Sequence, residues 1–162
     1  MSSIFDHIRN DDLESIKRLF EKDPDIINII DHSGWSPLHQ SVYCNNNIIT
    51  TYLISKGVDI ETKDDRGFTP LHLSIFKSNS NMFVYLISMG ANVNTQDIKN
   101  ETPLHDSIRI NDLEFTKLLL ERGADPYIKD NNGKTPLDCC KVDQKEEILN
   151  MIRMVKLKDL YK

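Results

Sequence analysis

The histidines are the residues of this chain whose chemistry best suits catalysis or metal binding, because imidazole is a common general base and metal ligand. Three of the five, His39, His72 and His105, lie 33 residues apart inside one recurring motif. The other two, His7 and His32, have no cysteine or carboxylate pattern around them at the spacing of a metal site or a catalytic triad. We interpret the repeated histidines as structural, hydrogen bonding near the start of a helix.

Cysteine, the other common nucleophile and metal ligand, gives no better candidate. Cys139 and Cys140 are adjacent, which a structural disulfide rarely joins, and no pair of the three cysteines has metal-site spacing. Cys44 ends a predicted helix, where the helix dipole disfavours a thiolate. All six glycines occupy positions of the repeat, so none is left for a phosphate-binding loop. We therefore expect no catalytic residue, no metal, no cofactor and no enzyme.

A motif with a period of 33 residues organises the chain. Four segments share it: Ser36-Pro37-Leu38-His39, Thr69-Pro70-Leu71-His72, Thr102-Pro103-Leu104-His105 and Thr135-Pro136-Leu137-Asp138. An aspartate precedes each segment at constant spacing, and a glycine follows the first three: Asp31, Asp64, Asp97, Asp130, then Gly57, Gly90, Gly123. A fixed period of this length with a helix-start signal in every unit predicts a stacked repeat solenoid.

The signals inside each unit predict a pair of short helices. Ser36 and its threonine equivalents are N-caps, and the proline after each stands at the first helical position. In the first full unit this predicts a helix over residues 37–44, a polar turn at residues 45–47, and a second helix over residues 48–56 that ends at Gly57. Leu38 and Val42, four residues apart, recur in later units, so stacked neighbours are expected to bury these apolar faces together.

The motif resembles that of the ankyrin repeat family, D-x-x-G-x-T-P-L-H followed by two helices and G-A-D. Residues 64–72 match the first part closely, and residues 118–125 match the end of the second helix with its Gly-Ala-Asp. The resemblance covers essentially the whole chain. It implies an all-α repeat solenoid in which antiparallel helix pairs stack in an L shape, with β-hairpin fingers on one side.

We predict a single ankyrin repeat domain of five repeats over residues 1–162. Residues 1–30 form an N-terminal capping repeat, residues 31–63, 64–96 and 97–129 are full repeats, and residues 130–162 form a C-terminal capping repeat. In the last repeat Lys141 and Arg153 replace core hydrophobic residues and Lys156 replaces the glycine, so the final helix is expected to reach about Tyr161. Polar outer faces suit terminal repeats, so we expect a complete and monomeric protein.

The overall charge narrows the classes of partner. The formal net charge is −5 and the sequence pI is about 5.5, which argues against a nucleic-acid-binding protein with a basic face. No apolar run approaches the ~20 residues that span a bilayer, so we expect no transmembrane segment and a cytoplasmic protein, with the nucleus or a host cell as alternatives. The C-terminal residues 153–162 nevertheless carry four basic side chains against Asp159: Arg153, Lys156, Lys158 and Lys162.

In the ankyrin family the finger tips and the exposed side of the first helix line a concave binding surface. On this chain those positions include Trp35 and Phe68 on the fingers, and Tyr43, Cys44, Phe76, Lys77, Arg109 and Ile110 on the helices. We expect four aromatic residues from two adjacent repeats to form one patch, which Met89 and Ile110 extend and two arginines border. The predicted partner-binding set is Trp35, Tyr43, Arg66, Phe68, Phe76, Met89, Arg109 and Ile110. The alternative is that the finger aromatics pack on the next finger and the partner binds elsewhere.

Our leading hypothesis is therefore that the chain is a non-enzymatic adaptor or inhibitor that binds a partner protein through its concave face. The chain resembles stand-alone ankyrin inhibitors of kinases or transcription factors, and effectors that pathogens place in host cells. A nucleic-acid or anionic-membrane accessory that acts through the basic C-terminal helix is the alternative from another class. A regulatory subunit of a separately encoded enzyme is a third hypothesis, which differs from the first only in its partner.

Overall fold

The protein is built from pairs of short helices, and the described part of the chain contains no β strand. A computed structural model describes residues 3–160, apart from the side chains of residues 159 and 160. The chain divides into two units, residues 1–91 and 92–162. The α-helices of the first unit are α1 Ile4–Arg9, α2 Leu13–Lys22, α3 Pro37–Tyr43, α4 Asn47–Ser55, α5 Pro70–Phe76 and α6 Ser80–Ser88. Those of the second unit are α7 Pro103–Arg109, α8 Leu113–Glu121 and α9 Lys145–Leu160. The all-α repeat fold expected from the sequence is confirmed, while the division into five repeats stays a prediction.

Each short inner helix begins at a capping box, as the sequence predicts. The Ser36 hydroxyl accepts a hydrogen bond from the His39 backbone N–H, and the Ser36 N–H donates to His39 Nδ1 at 3.2 Å. The same reciprocal pair begins α5 at Thr69 and α7 at Thr102. Such a box gives hydrogen-bond acceptors to two backbone N–H groups at the helix start, for which the helix itself offers no partner.

The capping histidine also holds the finger of the following repeat. Because His39 Nδ1 accepts a hydrogen bond from a backbone N–H, the ring proton lies on Nε2, which donates to the carbonyl of Phe68 at 2.8 Å. His105 Nε2 donates in the same way to the carbonyl of Lys134 at 3.2 Å. His39 and His105 are fully buried, and burial lowers the pKa of both, so they stay neutral. The structural role predicted for these two histidines is therefore confirmed.

The fingers are single tight turns rather than extended hairpins. In the second finger the Asp64 N–H donates to the carbonyl of Phe68 at 2.9 Å, and the Gly67 N–H donates back to the carbonyl of Asp64 at 2.8 Å. Neighbouring fingers touch closely at Gly34, where an added Cβ would lie 2.8 Å from the backbone nitrogen of Asp65. The sequence leads us to expect β-hairpin fingers, but five residues close the turn and leave no length for a β ladder.

The core of the first unit lies between the inner helices and the outer helices that cover them. Helices α1, α3 and α5 pack in sequence, and each pairs with the outer helix that follows it. The buried side chains are mainly Ile and Leu at helical spacing, and those of the N-terminal part are Ile4, Phe5, Ile8, Ile16, Ile27, Leu38, Ile49, Leu53 and Val58. The 1–30 segment supplies a helix pair without the T-P-L-H motif, and a 3-10 helix over Pro24–Asn28 replaces the glycine that ends other pairs.

The second unit ends in a repeat that departs from the pattern. The Thr135 segment forms only a 3-10 helix over Pro136–Cys139, followed by a second 3-10 turn over Val142–Gln144. Lys141 is exposed at the position where Val42 and Ile108 are buried, so a continued α-helix would have had to bury its ammonium group. The full inner helix that the repeat predicts is therefore absent here. The long final helix is present as α9, and Tyr161, where we expected it to end, lies outside the described residues.

Gly90 tests the predicted helix C-caps. Its φ is +99°, in the left-handed region, and an added Cβ would meet no atom within 4 Å. We expect Gly90→Val to lower the free energy of unfolding by about 2 kcal/mol, because a β-branched residue is strained at positive φ. Urea denaturation measures this.

Two substitutions control for the Gly90 result. Gly90→Asn is expected to cost less, because asparagine tolerates the left-handed region, and Met89→Val adds a β-branched residue at ordinary φ. Equal stability of Gly90→Val and the parent chain would contradict the role of backbone conformation at this cap.

Candidate functional site: an aromatic groove on the first unit

Seven residues of α3, α5 and their two fingers line an open groove on the first unit. The groove has a volume of about 470 Å³. Its lining is mainly aromatic, with two cations, and consists of Trp35, Tyr43, Arg66, Phe68, Leu73, Phe76 and Lys77. We call this site the aromatic groove.

Each finger aromatic pairs with the aromatic residue that ends the following helix. The Trp35 and Tyr43 ring centroids are 5.0 Å apart, and those of Phe68 and Phe76 are 5.2 Å apart. The finger residue precedes the N-cap and the helix residue lies two turns later, so the short length of α3 and α5 brings each pair together. Phe68 also stacks on the His72 ring at 5.4 Å, which fixes its plane. The groove therefore has a wall of two rigid ring pairs.

The Asp64 carboxylate positions three lining residues at once. Its Oδ2 accepts hydrogen bonds from Trp35 Nε1 at 3.2 Å and from Arg66 Nη2 at 2.9 Å. Its Oδ1 accepts the backbone N–H groups of Arg66 and Phe68, both at 2.9 Å. Burial alone would raise the pKa of Asp64, but the hydrogen bonds from Phe68 and Arg66 hold the pKa below its ordinary value. The carboxylate thus stays ionised and joins the two fingers.

Two cations lie on the faces of the groove aromatics. The Arg66 guanidinium carbon is 4.5 Å from the Phe68 ring centroid, and Lys77 Nζ is 4.3 Å from the Tyr43 ring centroid. Both distances are within the range of an attractive cation–π contact. Arg66 also forms an ion pair with Asp64. No ion pair of Lys77 is found among the residues that the structure describes.

The structure brings five of the predicted site residues together in this groove: Trp35, Tyr43, Arg66, Phe68 and Phe76. Tyr43 and Phe76 are 45% and 43% exposed, whereas Trp35 and Phe68 are half-buried and pack on the capping histidines. Met89 is exposed at the end of α6 but does not line the groove. Leu73 and Lys77 complete the lining and are absent from the predicted set. The spacing identifies Lys77 as an exposed position after α5, but the contact of its ammonium with the Tyr43 ring is visible only in three dimensions.

Arg109 and Ile110, the remaining predicted residues, lie at the end of α7 in the second unit. Ile110 is an exposed C-cap. Arg109 is bound between two carboxylates, with Nη1 donating to Asp106 at 2.9 Å and Nη2 donating to Glu101. Glu101 stands at the finger position of Phe68, and Asp106 at the helix position of Leu73. The same scaffold therefore carries an ionic cluster in this unit.

Asp106 is an acid whose environment opposes its charge. Its side chain is 1% exposed, and Oδ2 has no hydrogen-bond partner among the residues that the structure describes. Burial, together with the charges of Glu101 and Asp97, raises the pKa of Asp106 from 3.8 to about 7 against the attraction of Arg109. Cys139 lies close enough to Arg109 to interact with it, and burial raises the pKa of the Cys139 thiol. The cluster has one cation, Arg109, for its carboxylates, so the protonated form of Asp106 is favoured below about pH 7.

Other candidate chemistry does not assemble in the described part of the chain. No group of three or more histidine, cysteine, aspartate or glutamate side chains there is placed to hold a metal ion. Cys44, Cys139 and Cys140 are free thiols. Within residues 3–160, no helix is both long enough and apolar enough to cross a membrane.

Family comparisons agree with the repeat motif and the helix pairs. A family model of ankyrin repeats in three copies matches residues 4–97. The chain belongs to the ankyrin repeat family. A second model, of ankyrin repeats in many copies, matches residues 86–140. Ankyrin repeats are typically non-catalytic, and their presence indicates a protein–protein interaction module.

One curated relative shares part of this ankyrin sequence. The NAD-dependent deacetylase sir2B of Dictyostelium discoideum is 31% identical over 62 residues, which make up 38% of this chain and 8% of that protein. The chain therefore matches only a small part of the deacetylase, and nothing about a reaction follows from the match.

Asp64→Asn tests whether one carboxylate sets the groove geometry. An amide keeps an acceptor for the finger N–H groups but cannot accept hydrogen bonds from both Trp35 and Arg66, so we expect a loss of about 2 kcal/mol in the free energy of unfolding. Because Trp35 is the single tryptophan of the chain, its fluorescence emission should shift to longer wavelength as the indole loosens.

Asp31→Asn is the matched control for Asp64. Asp31 accepts the N–H groups of Ser33 and Trp35 through Oδ1, and no side chain donates to its carboxylate among the described residues. An amide can keep both bonds, so this variant is expected to stay close to the parent chain. If the two variants lost equal stability, the hydrogen bonds to Asp64 Oδ2 would have no special role.

Asp106→Asn tests the buried acid of the second unit. Because the folded-state pKa is raised above 3.8, the folded chain binds the extra proton between pH 3.8 and about 7, and its stability falls as pH rises through that window. The asparagine variant avoids the cost of a buried charge. We expect its stability relative to the parent chain to be about 3 kcal/mol greater at about pH 8 than at about pH 5.

Urea denaturation of the parent chain, Asp106→Asn and Asp143→Asn at the two pH values measures this difference. Asp143 is exposed on a 3-10 turn of the same unit, so its replacement controls for the loss of one carboxylate. A stability difference for Asp106→Asn that did not change with pH would show that Asp106 is ionised throughout.

Proposed function

We propose that this ankyrin repeat protein is a non-enzymatic adaptor or inhibitor that binds a partner protein, with the aromatic groove as the centre of the interface. The observation that carries the proposal is the groove itself. Tyr43 and Phe76, on adjacent repeats, both expose their rings in this one groove. Each ring packs against a finger aromatic, Tyr43 against Trp35 and Phe76 against Phe68. A contiguous exposed apolar surface is typical of an interaction site, whereas scattered exposed apolar residues are common on any protein surface.

The composition and rigidity of the groove support this function. Aromatic residues with arginine are enriched at the energetic centre of protein interfaces. The ring pairs and the Asp64 hydrogen bonds already fix Trp35, Phe68 and Arg66 in place, so binding would order few side chains. The half-burial of Trp35 and Phe68 means that Tyr43 and Phe76 are the residues that a partner would contact most.

The basic C-terminal helix gives less support to a nucleic-acid or membrane partner. Three of the four described cations of α9 are engaged inside the chain. Arg153 donates to Glu146, Lys158 lies 3.7 Å from Glu121, and Lys156 donates to the Tyr127 hydroxyl at 2.7 Å. These pairs reduce the charge available for a polyanion. The three free cysteines suit a reducing compartment, and we propose the cytoplasm on that ground.

Replacement of the two exposed aromatics tests the proposed function. We expect Tyr43→Ser combined with Phe76→Ser to lose a partner that the parent chain captures from native cell lysate, as detected by mass spectrometry. Once the partner is identified, each serine replacement should weaken its affinity about thirtyfold, the effect of removing an interface anchor.

The control is a matched pair of exposed isoleucines on the same unit. Ile30 and Ile48 are 65% and 66% exposed and do not line the groove. Ile30→Ser combined with Ile48→Ser should retain the partner. Capture of the same partners by both double variants, with circular dichroism showing both folded, would place the binding surface outside the aromatic groove.

A further inference from the structure

We propose that the occupant of the aromatic groove is an extended acidic peptide segment, in which an apolar side chain enters the groove and a nearby carboxylate pairs with Lys77. This inference rests on the proposed function and adds the chemical class of the partner. It follows from the charges, the exposed surface and the distances of the groove, taken in turn.

The charge of the groove differs in sign from that of the whole chain. The chain carries a formal net charge of −5, yet the groove lining contains two cations and no carboxylate. Arg66 is neutralised by Asp64, which lies behind it and is 1% exposed. The charge of Lys77 is therefore the one in the lining that has no ion-pair partner among the described residues. A carboxylate brought by a partner would complete it.

The exposed surface of the groove fits one apolar side chain. Tyr43 and Phe76 expose their rings, and the buried Leu73 also contributes to the lining. The volume of about 470 Å³ is in the range of sites that enclose a small ligand, and the open shape allows the peptide backbone to pass across the mouth. An aromatic or branched aliphatic side chain would remove the rings of Tyr43 and Phe76 from water.

The distances set the spacing of the two peptide groups. Lys77 Nζ lies 4.3 Å from the Tyr43 ring centroid, so a side chain that covers this ring lies beside the ammonium. An extended segment advances ~3.3 Å per residue, and alternate side chains face the same side. A carboxylate within two residues of the apolar side chain therefore reaches Lys77 without a turn in the peptide.

The same charges disfavour a polyanion as the occupant. In the groove a nucleic acid would find one cation without an ion-pair partner among the described residues, Lys77, for its phosphates. The net negative charge of the chain would oppose its approach. Asp65, exposed on the same finger as Arg66 and lining a neighbouring depression with it, would repel a second phosphate. A short segment with a single carboxylate beside an apolar residue avoids both costs.

Selection from a displayed library of random peptides, followed by titration of synthetic peptides, tests the proposal. The parent chain is the bait, and the Tyr43→Ser/Phe76→Ser chain removes sequences that bind elsewhere. Selected peptides should carry an Asp or Glu within two residues of a Leu, Ile, Phe or Tyr. Binding of tryptophan-free peptides is followed by the emission of Trp35, which lies in the groove wall.

Two substitutions at position 77 separate charge from packing. Lys77→Met keeps an unbranched chain over the Tyr43 ring and removes the charge, so affinity for an acidic peptide should fall about fivefold. Lys77→Glu should weaken it further and favour a matched peptide in which Lys replaces the acid. Lys22→Glu makes the same charge change on α2, outside the groove, and should leave the affinity within about twofold.

The outcomes distinguish this inference from the proposed function. Peptides that require Tyr43 and Phe76 but lack an acid, or that bind Lys77→Met as tightly as the parent chain, would overturn the acidic partner and leave the groove as the interface. A selection whose peptides all bind the Tyr43→Ser/Phe76→Ser chain equally well, or that yields no binding peptide, would overturn both.

Discussion

A neutral histidine that serves two neighbouring elements is the interaction on which the repeat architecture depends. Through Nδ1, His39 accepts the N–H of its own helix cap, and through Nε2 it donates to the carbonyl of the next finger. This arrangement needs one tautomer, because protonation would place two donors, ring Nδ1–H and backbone N–H, against each other. Burial lowers the pKa of His39 and so protects the neutral form, and His105 repeats the arrangement in the second unit. One histidine ring thereby links the start of its own helix to the finger of the next repeat.

The groove is a consequence of that coupling. Once the finger after α3 is held by His39, its Asp64 lies where Trp35 of the preceding finger can donate to it. The residue before each N-cap then folds over the end of the short helix and meets the aromatic residue there. The lining side chains therefore sit on a frame with many of its own hydrogen bonds made, and Tyr43, Phe76 and Lys77 are the ones that our proposal assigns to contact with a partner.

The sequence predicts the frame well because local signals decide it. Each signal acts on residues close to it in the sequence: the Ser/Thr-Pro start, the histidine of the capping box and a glycine such as Gly57. The structure confirms the helices whose ends these signals predict. The 3-10 helix at Pro136–Cys139 was harder to foresee, since the cap is intact and exposed Lys141 ends the helix through a burial cost. Two contacts depend on side-chain directions in two repeats, which spacing alone does not give. They are the contact of the Lys77 ammonium with the Tyr43 ring and the hydrogen bond from Trp35 to the Asp64 carboxylate.

Gln40, Leu73 and Asp106 occupy the same place in three successive repeats, half-way along the inner helix, and all three are buried. An amide, an alkyl group and a carboxylic acid are thus accepted there by an unchanged backbone. The chemistry of one repeat can accordingly change without a change in the helix that carries it. Two descendants of such a chain could share every helix and recognise unrelated proteins.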